Sequence, residues 1–190
     1  MGLYYVGALL KRHGYDVEIL NWHAANVEPA RIRAFFEANK PDVIGFSVLH
    51  ANRWGATEIA AMARNADPRV RIVFGGIGAT FLYDHLLSNF PEIDFIVMGE
   101  GEHTFLDLIR CLDRGAPEEI EAIPGIALRK AGKVVKSAPR PVMKDLDELP
   151  NPALFFKYQH LSLARGCPGN CIFCGSPRFW GRRVRFHSAD

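Results

Sequence analysis

Asp42-Val43-Ile44-Gly45-Phe46-Ser47-Val48-Leu49 is a nearly unbroken apolar run closed by a small hydroxyl residue. A run of this kind suits a strand buried on both faces, as in parallel sheets covered by helices. Outward from it, residues Asn52 to Asn65 take helical spacing. Val70 to Phe74 is a second buried strand ending in Gly75-Gly76, with a helix predicted from Thr80 to Asn89. Phe95 to Met98 is a third, turning through Gly99-Glu100-Gly101-Glu102 into a helix from His103 to Asp113. On the N-terminal side, Glu28 to Asn39 is helical through Ile32, Phe35 and Phe36, and Asp16 to Leu20 is a short β-branched run predicted as a strand. Gly2 to His13 is an amphipathic helix closed by Gly14. Strand and helix thus alternate four times with short connections, which predicts an α/β fold with a doubly wound parallel sheet.

The alternation then stops. Gly125 to Arg129 and Lys133 to Ser137 flank Lys130-Ala131-Gly132 and predict a β-hairpin. Ala138 to Pro152 holds four prolines and no apolar period, the mark of an extended linker. His160 to Ala164 is a short apolar run predicted as the first strand of another domain. The expected division is 1–115 for the α/β domain, 116–158 for hairpin and linker, and 159–190 for the start of the next domain.

The chain has 190 residues, of which 48% are apolar and 23% charged, which is ordinary for a soluble globular protein. No run approaches the roughly 18 to 20 apolar residues of a membrane span. Lys11 and Arg12 follow the apolar Met1 to Leu10 segment instead of preceding it, the wrong order for a secretory signal. A cytoplasmic protein with no membrane partner is expected. The net charge of +2 is uneven: residues 1–164 carry 18 Lys and Arg against 20 Asp and Glu. Arg165, Arg178, Arg182, Arg183 and Arg185 make the remainder basic, as a phosphate or nucleic acid partner would require; a solvated loop is the plainer reading, and a nucleic acid partner is not expected. Three of the four cysteines fall within eight residues, too close for a comfortable disulfide framework and better suited to a metal or redox site in a reducing compartment.

Ligands of open parallel sheets bind beyond the carboxyl ends of the strands. Ser47 closes one strand there, Gly75 and Gly76 with Thr80 behind them close the next, and Gly99, Glu100, Gly101 and Glu102 close the last. Glycine lets backbone approach a ligand, and hydroxyls and helix N-terminal amides can bond phosphate or amide groups, although glycine also serves simple turns. His23 and His50, at predicted strand ends, are candidate metal ligands whose plainer reading is loop histidine.

Ser47-Val48-Leu49, followed after 25 residues by Gly75-Gly76, resembles the Ser-x-Leu and Gly-Gly signatures of cobalamin-binding domains. The resemblance implies a flavodoxin-like sheet, with Ser47, Leu49, Gly75, Gly76 and Thr80 around the nucleotide tail of the corrinoid. The turn Gly99-Glu100-Gly101-Glu102 is similar to the last one in cobalamin domains fused to radical S-adenosylmethionine domains, where it lies near the corrinoid. Many relatives carry Asp-x-His-x-x-Gly, whose histidine is the lower axial cobalt ligand. Here Gly2 matches only its last glycine. The same alignment leaves the first strand of the sheet unmatched, so a chain truncated at both ends is expected, with Met1 as a true start the alternative.

Arg165-Gly166-Cys167-Pro168-Gly169-Asn170-Cys171-Ile172-Phe173-Cys174 places three thiols in one tight loop. Iron–sulfur clusters usually take four thiolates, so three leave one iron open. This Cys-x-x-x-Cys-x-x-Cys spacing resembles that of radical S-adenosylmethionine enzymes, which implies a 4Fe–4S cluster on Cys167, Cys171 and Cys174. It also implies S-adenosylmethionine on the open iron, Phe173 beside its adenine, and the start of a partial TIM-type barrel. Zinc with His187 as fourth ligand is the alternative. Cys111 reads as a packed core thiol.

Together the resemblances imply a cobalamin-dependent radical enzyme acting on a small-molecule or natural-product substrate. It would be a methyltransferase toward an unactivated carbon through a 5′-deoxyadenosyl radical, with an external flavodoxin- or ferredoxin-type one-electron reductant. A methylthiotransferase-like radical enzyme and a non-catalytic corrinoid carrier or sensor are the alternatives.

Overall fold

The computed structural model describes residues 2–22, 28–157, 160 and 162–188. In chain order the helices and strands are α1 (Gly2–Arg12), α2 (Pro29–Asn39), β1 (Val43–Ser47), α3 (Arg53–Ala66), β2 (Arg71–Gly75), α4 (Gly76–Phe81), α5 (Tyr83–Asn89), β3 (Phe95–Val97) and α6 (Glu102–Asp113). They continue with β4 (Ile126–Lys130), β5 (Lys133–Lys136), β6 (Ala164–Arg165), α7 (Ser176–Trp180) and β7 (Arg185–Phe186). By packing the chain divides into two compact units, one of residues 20–98 and 126–137, the other of 1–19, 99–125 and 138–190. These units interleave along the sequence instead of following each other.

The unit of residues 20–98 and 126–137 holds a five-stranded sheet in the order β1-β2-β3-β4-β5. β1, β2 and β3 are parallel, in a register that sets Ser47 beside Gly75 and Gly75 beside Val97, so the three carboxyl ends form one row. The expected α/β fold with a parallel sheet is therefore present. The predicted hairpin also forms, but it is part of the sheet: β4 runs antiparallel to β3, with Phe95 opposite Leu128, and the sheet is mixed. The expected two-sided burial is met by Ile72, Val73 and Phe74 and by all of β3. β1 is only half buried, because it is the edge of this sheet. Phe74, Ile72, Ile96, Leu86 and Leu87 make the core, with Phe46 and Phe74 in ring contact. Arg129 closes the end of α5 by donating to the carbonyls of Leu87, Phe90, Pro91 and Ile93.

One expectation for this unit and two that fall chiefly in the other need correction. The helix predicted from Thr80 begins at Gly76, directly after β2, and is split at Leu82 into α4 and α5. Residues 16–20 form no strand. The apolar side chains of this stretch are used otherwise, Tyr15 and Val17 packing on the cluster of Tyr5, Leu9 and Leu106. The predicted strand at His160–Ala164 is displaced: β6 covers Ala164–Arg165 and pairs antiparallel with β7, and Leu161 lies outside the described residues.

The second unit is centred on α1 packed against α6. Residues 138–152, expected to be a linker, have little regular structure, yet Met143, Leu146 and Leu149 are buried with Tyr5, Leu9, Leu10 and Leu106. Prolines prevented a periodic signal there, while single apolar residues at turns still reach the core. No helix among the described residues is long and apolar enough to cross a membrane.

Candidate functional site

Two sites take shape, one in each unit. The first is the loop after β1. Ser47 and Leu49 are exposed at the carboxyl end of the strand, Leu49 by 53%, while Val48 between them is fully buried and anchors the turn. Asn52 braces it from both sides: its amide donates to the Ser47 carbonyl at 3.0 Å, and its side-chain oxygen accepts from the Leu49 N–H at 2.7 Å. Facing this loop is the start of α4. Gly76 has φ +88, and a Cβ there would lie 3.2 Å from the Val48 oxygen and 3.5 Å from the Ser47 hydroxyl. At Gly78 a Cβ would fall 2.8 Å from both the Val48 oxygen and the Leu49 carbonyl carbon, and the Gly78 N–H donates to that same oxygen at 2.8 Å.

The space that glycine opens at 76 and 78 is thus taken by the chain's own Val48–Leu49 backbone. Gly75 meets only ordinary contact, with Val97. The Thr80 hydroxyl donates to the Gly76 carbonyl at 2.9 Å. What this crevice offers a ligand is the exposed Ser47 hydroxyl and the exposed apolar side chain of Leu49, beside a floor of close backbone contacts. Asn52 and Gly78 were not found by motif reading; Gly78, third in Gly76-Ile77-Gly78, carried the signal. The His50 carbonyl accepts from Arg53, and His23 lies outside the described residues.

In the second unit the turn Gly99–Glu102 leads into α6. Gly99 has φ +69, and Gly101 stands just before the helix. Glu100 and Glu102 are buried and bound to arginines of the C-terminal segment. Arg165 Nη2 donates to Glu102 Oε1 at 2.7 Å, and Arg165 Nη1 lies 3.5 Å from Glu100 Oε1. Arg185 Nη1 donates to Glu100 Oε2 at 2.8 Å and to the Met143 carbonyl at 2.6 Å, and Glu100 Oε2 also accepts from the Met143 N–H at 2.7 Å. The Arg165 guanidinium lies 5.1 Å from the ring centres of both Tyr5 and Trp180. Burial alone would lower the pKa of Arg165, but the charges and hydrogen bonds of Glu102 and Glu100 outweigh it and hold the guanidinium above its ordinary value. The Tyr5 phenol is raised, first by burial, with Arg165 opposing and Glu102 adding.

The solvated-loop reading of the basic tail is therefore corrected for two of its five arginines. Arg165 and Arg185 are buried ion pairs, while Arg178, Arg182 and Arg183 are exposed. The signal was the acidic turn: buried charge of one sign needs buried charge of the other.

Between these arginines lies the cysteine loop. Cys167 and Cys174 are half buried and Cys171 is exposed. Cys167 and Cys171 both face Gly169: a Cβ at that glycine would lie 3.4 and 3.8 Å from their sulfurs. The Cys174 N–H donates to the Cys171 carbonyl at 3.2 Å, closing a tight backbone turn between the second and third cysteines. Ile172 and Phe173 project into solvent, Phe173 by 89%. Among the described residues no three His, Cys, Asp or Glu side chains are gathered closely enough for one metal ion. A closed zinc site would need ligands within about 4 Å of one another. The fourth zinc ligand considered from sequence, His187, has its Nδ1 3.2 Å from Asp147 Oδ1 and its ring stacked on Tyr5. Cys167 and Cys171, facing the same glycine, and Cys174 three residues further on are soft sulfur donors of the kind that iron–sulfur clusters take. Cys111 is buried, and burial first of all raises its pKa, with Arg114 opposing and Glu119 adding.

Residues 1–109 match the B12 binding domain family, so the chain belongs to that family, as Ser47-x-Leu49 and Gly75-Gly76 had implied. The chain is 32% identical over its whole length to an uncharacterized methyltransferase of Pyrococcus horikoshii, of which it covers 43%. It is 31% identical over 93% of its length to the anaerobic magnesium-protoporphyrin IX monomethyl ester cyclase of Rubrivivax gelatinosus, covering 34% of that protein. It spans less than half the length of either relative. Its fold matches the radical S-adenosylmethionine methyltransferase TsrM from Kitasatospora setae, solved with cobalamin and a 4Fe–4S cluster bound. That match has a TM-score of 0.76 and 18% identity, over 98% of this chain and 40% of that one.

Proposed function

We propose that this chain carries the corrinoid-binding and cluster-binding parts of a cobalamin-dependent radical S-adenosylmethionine methyltransferase. The observation that carries the reading is the pairing, in one polypeptide, of a B12 binding domain with a Cys-x-x-x-Cys-x-x-Cys loop in which the Cys167 and Cys171 thiols both face Gly169. Ser47 and Leu49 would hold the nucleotide tail of cobalamin, and Cys167, Cys171 and Cys174 would hold three corners of a 4Fe–4S cluster. When bound, these groups supply reductive cleavage of S-adenosylmethionine to a 5′-deoxyadenosyl radical and a methyl group for an unactivated carbon. The protein's own part is to fix the thiols, to present Phe173 beside the adenine, and to hold the Ser47–Leu49 turn rigid through Asn52 and Gly78. A small-molecule substrate and an external one-electron donor, in the cytoplasm, complete the proposal.

Anaerobic reconstitution of the full-length protein with iron, sulfide and hydroxocobalamin tests it. With a strong reductant it should cleave S-adenosylmethionine to 5′-deoxyadenosine; absence of cleavage by a cluster-loaded, corrinoid-loaded protein sinks the enzymatic reading and leaves a carrier. The likeness to the cyclase, at an identity close to that of the methyltransferase, favours ring closure as a second reading. S-adenosylhomocysteine formed in step with product marks methyl transfer, and its absence marks cyclisation.

A further inference from the structure

β6 and β7 set Arg165 directly opposite Arg185. Like charges in that position repel, and here both are buried, with side chains 5% exposed. The pair tolerates this because Glu102 and Glu100, 3% and 4% exposed, neutralise them. Glu102 is the first residue of α6, where the helix dipole favours a carboxylate. Buried charge costs stability unless fully paired, and pairing here is incomplete: Glu102 Oε2 and Arg185 Nε have no hydrogen-bond partner among the described residues. An arrangement this costly, next to a loop of thiols, points to a task other than stability.

Both legs of the cysteine loop end on it. On the incoming leg, Arg165 precedes Cys167 by two residues. Between them Gly166, at φ +104, leaves no space for a side chain, since its Cβ position falls on the Arg183 carbonyl group. The Cys167 N–H donates to the Gly181 carbonyl at 3.2 Å. On the outgoing leg, Arg185 Nη2 donates to the Trp180 carbonyl at 2.8 Å, and Trp180 covers the Arg165 guanidinium. We propose that Glu100, Glu102, Arg165 and Arg185 are positioning residues for the cluster. By clamping residues 165–167 against 180–185 they set the direction of the Cys167 thiol. Glu100 and Glu102, read from sequence as corrinoid contacts, act on the cluster instead. The inference rests on the reading of the three thiols as cluster ligands.

The test uses the 190-residue chain, reconstituted anaerobically with iron and sulfide, beside Arg165→Lys, Glu102→Gln and the double variant Arg165→Met/Glu102→Leu. The double variant removes both charges and keeps side-chain volume, so its fold, followed by far-ultraviolet circular dichroism, should survive. It should lose iron to a chelator about tenfold faster than the parent, the usual scale for losing a ligand-orienting contact. The electron paramagnetic resonance g-values of its reduced cluster should shift as well, and Arg165→Lys should fall between. If the double variant does not fold, Arg165→Lys and Glu102→Gln decide on the same two readouts. A parent that takes up no cluster overturns the reading of the thiols, and this proposal with it. A parent that loads, with folded variants matching its chelation half-life and spectrum, overturns the positioning role alone. So does Glu102→Gln if it weakens hydroxocobalamin binding and leaves the cluster untouched.

Discussion

The loop after β1 and the loop of cysteines are both short, both beside glycine, and built by opposite means. Around Ser47 the scaffold is backbone: Val48 carbonyl against Gly78 amide, with one asparagine spanning the turn. Around Cys167 the scaffold is side-chain charge, four ionised groups buried with two aromatic rings. Backbone scaffolding depends on the absence of atoms, so added volume should break it. A scaffold of charges depends on their balance, so removal of one should destabilise the fold, and removal of a pair should leave the fold intact while releasing the thiol it aims.

The largest expected effect follows from the charges. Glu102→Ala leaves Arg165 buried with its main partner gone, a change that costs about 3–5 kcal/mol in comparable sites. Chemical denaturation should show this loss, and Arg165→Met/Glu102→Leu should recover most of it, since apolar replacement of a whole buried pair is often neutral. Equal destabilisation by single and double variants would erase the contrast between the two loops.

Next in size is Gly78→Ala. Its methyl would meet the Val48 and Leu49 backbone at 2.8 Å, and backbone cannot step aside as a flexible side chain can. About 1–3 kcal/mol is expected from overpacking, with weaker hydroxocobalamin binding because the Ser47–Leu49 turn must move. Gly55→Ala is the opposite case: within α3 a Cβ meets nothing within 4 Å, so the change should stabilise by about 0.5–1 kcal/mol. If both alanines have the same sign in thermal unfolding, close backbone approach is not what Gly78 provides.

The contrast also explains what the sequence made legible. The parallel strands were visible because burial on both faces leaves a nearly continuous apolar run, as in Ile72 to Phe74, and the hairpin was visible through Ala131-Gly132. That β4 would join β3 was not visible, since register between distant segments leaves no local pattern. Nor was the packing of Met143, Leu146 and Leu149, three apolar residues among prolines with no period to reveal a core face. At the sites, the thiols and Ser47-x-Leu49 stood out by spacing. The partners of Glu100 and Glu102 did not, because Arg165 and Arg185 lie some 60 to 85 residues away and look like solvated charge until the fold brings them together. Motifs mark groups that touch a cofactor; the groups that hold those groups in place are found only in three dimensions.

The smallest expected effect separates buried from exposed charge within the cysteine unit itself. Asp147 is exposed, and its carboxyl is held below the usual carboxylate value chiefly by the Ser188 backbone N–H, against a desolvation penalty, with the Ser188 side chain and His187 adding. A depressed folded pKa means that the stabilisation is fully present above the ordinary carboxylate value of 3.8 and is lost as pH falls through the lower folded one. The Ser188 amide nitrogen shift, followed by NMR from neutral to acid pH, should therefore titrate with a midpoint below 3.8, and Asp147→Asn should abolish the step. Because the group is solvated, melting temperature at neutral pH should hardly change in that variant. A midpoint at or above the ordinary value would mean that the contact is not made in solution. The Arg185 leg of the clamp would then have to hold without the support of the Asp147–His187 contact two residues beyond it.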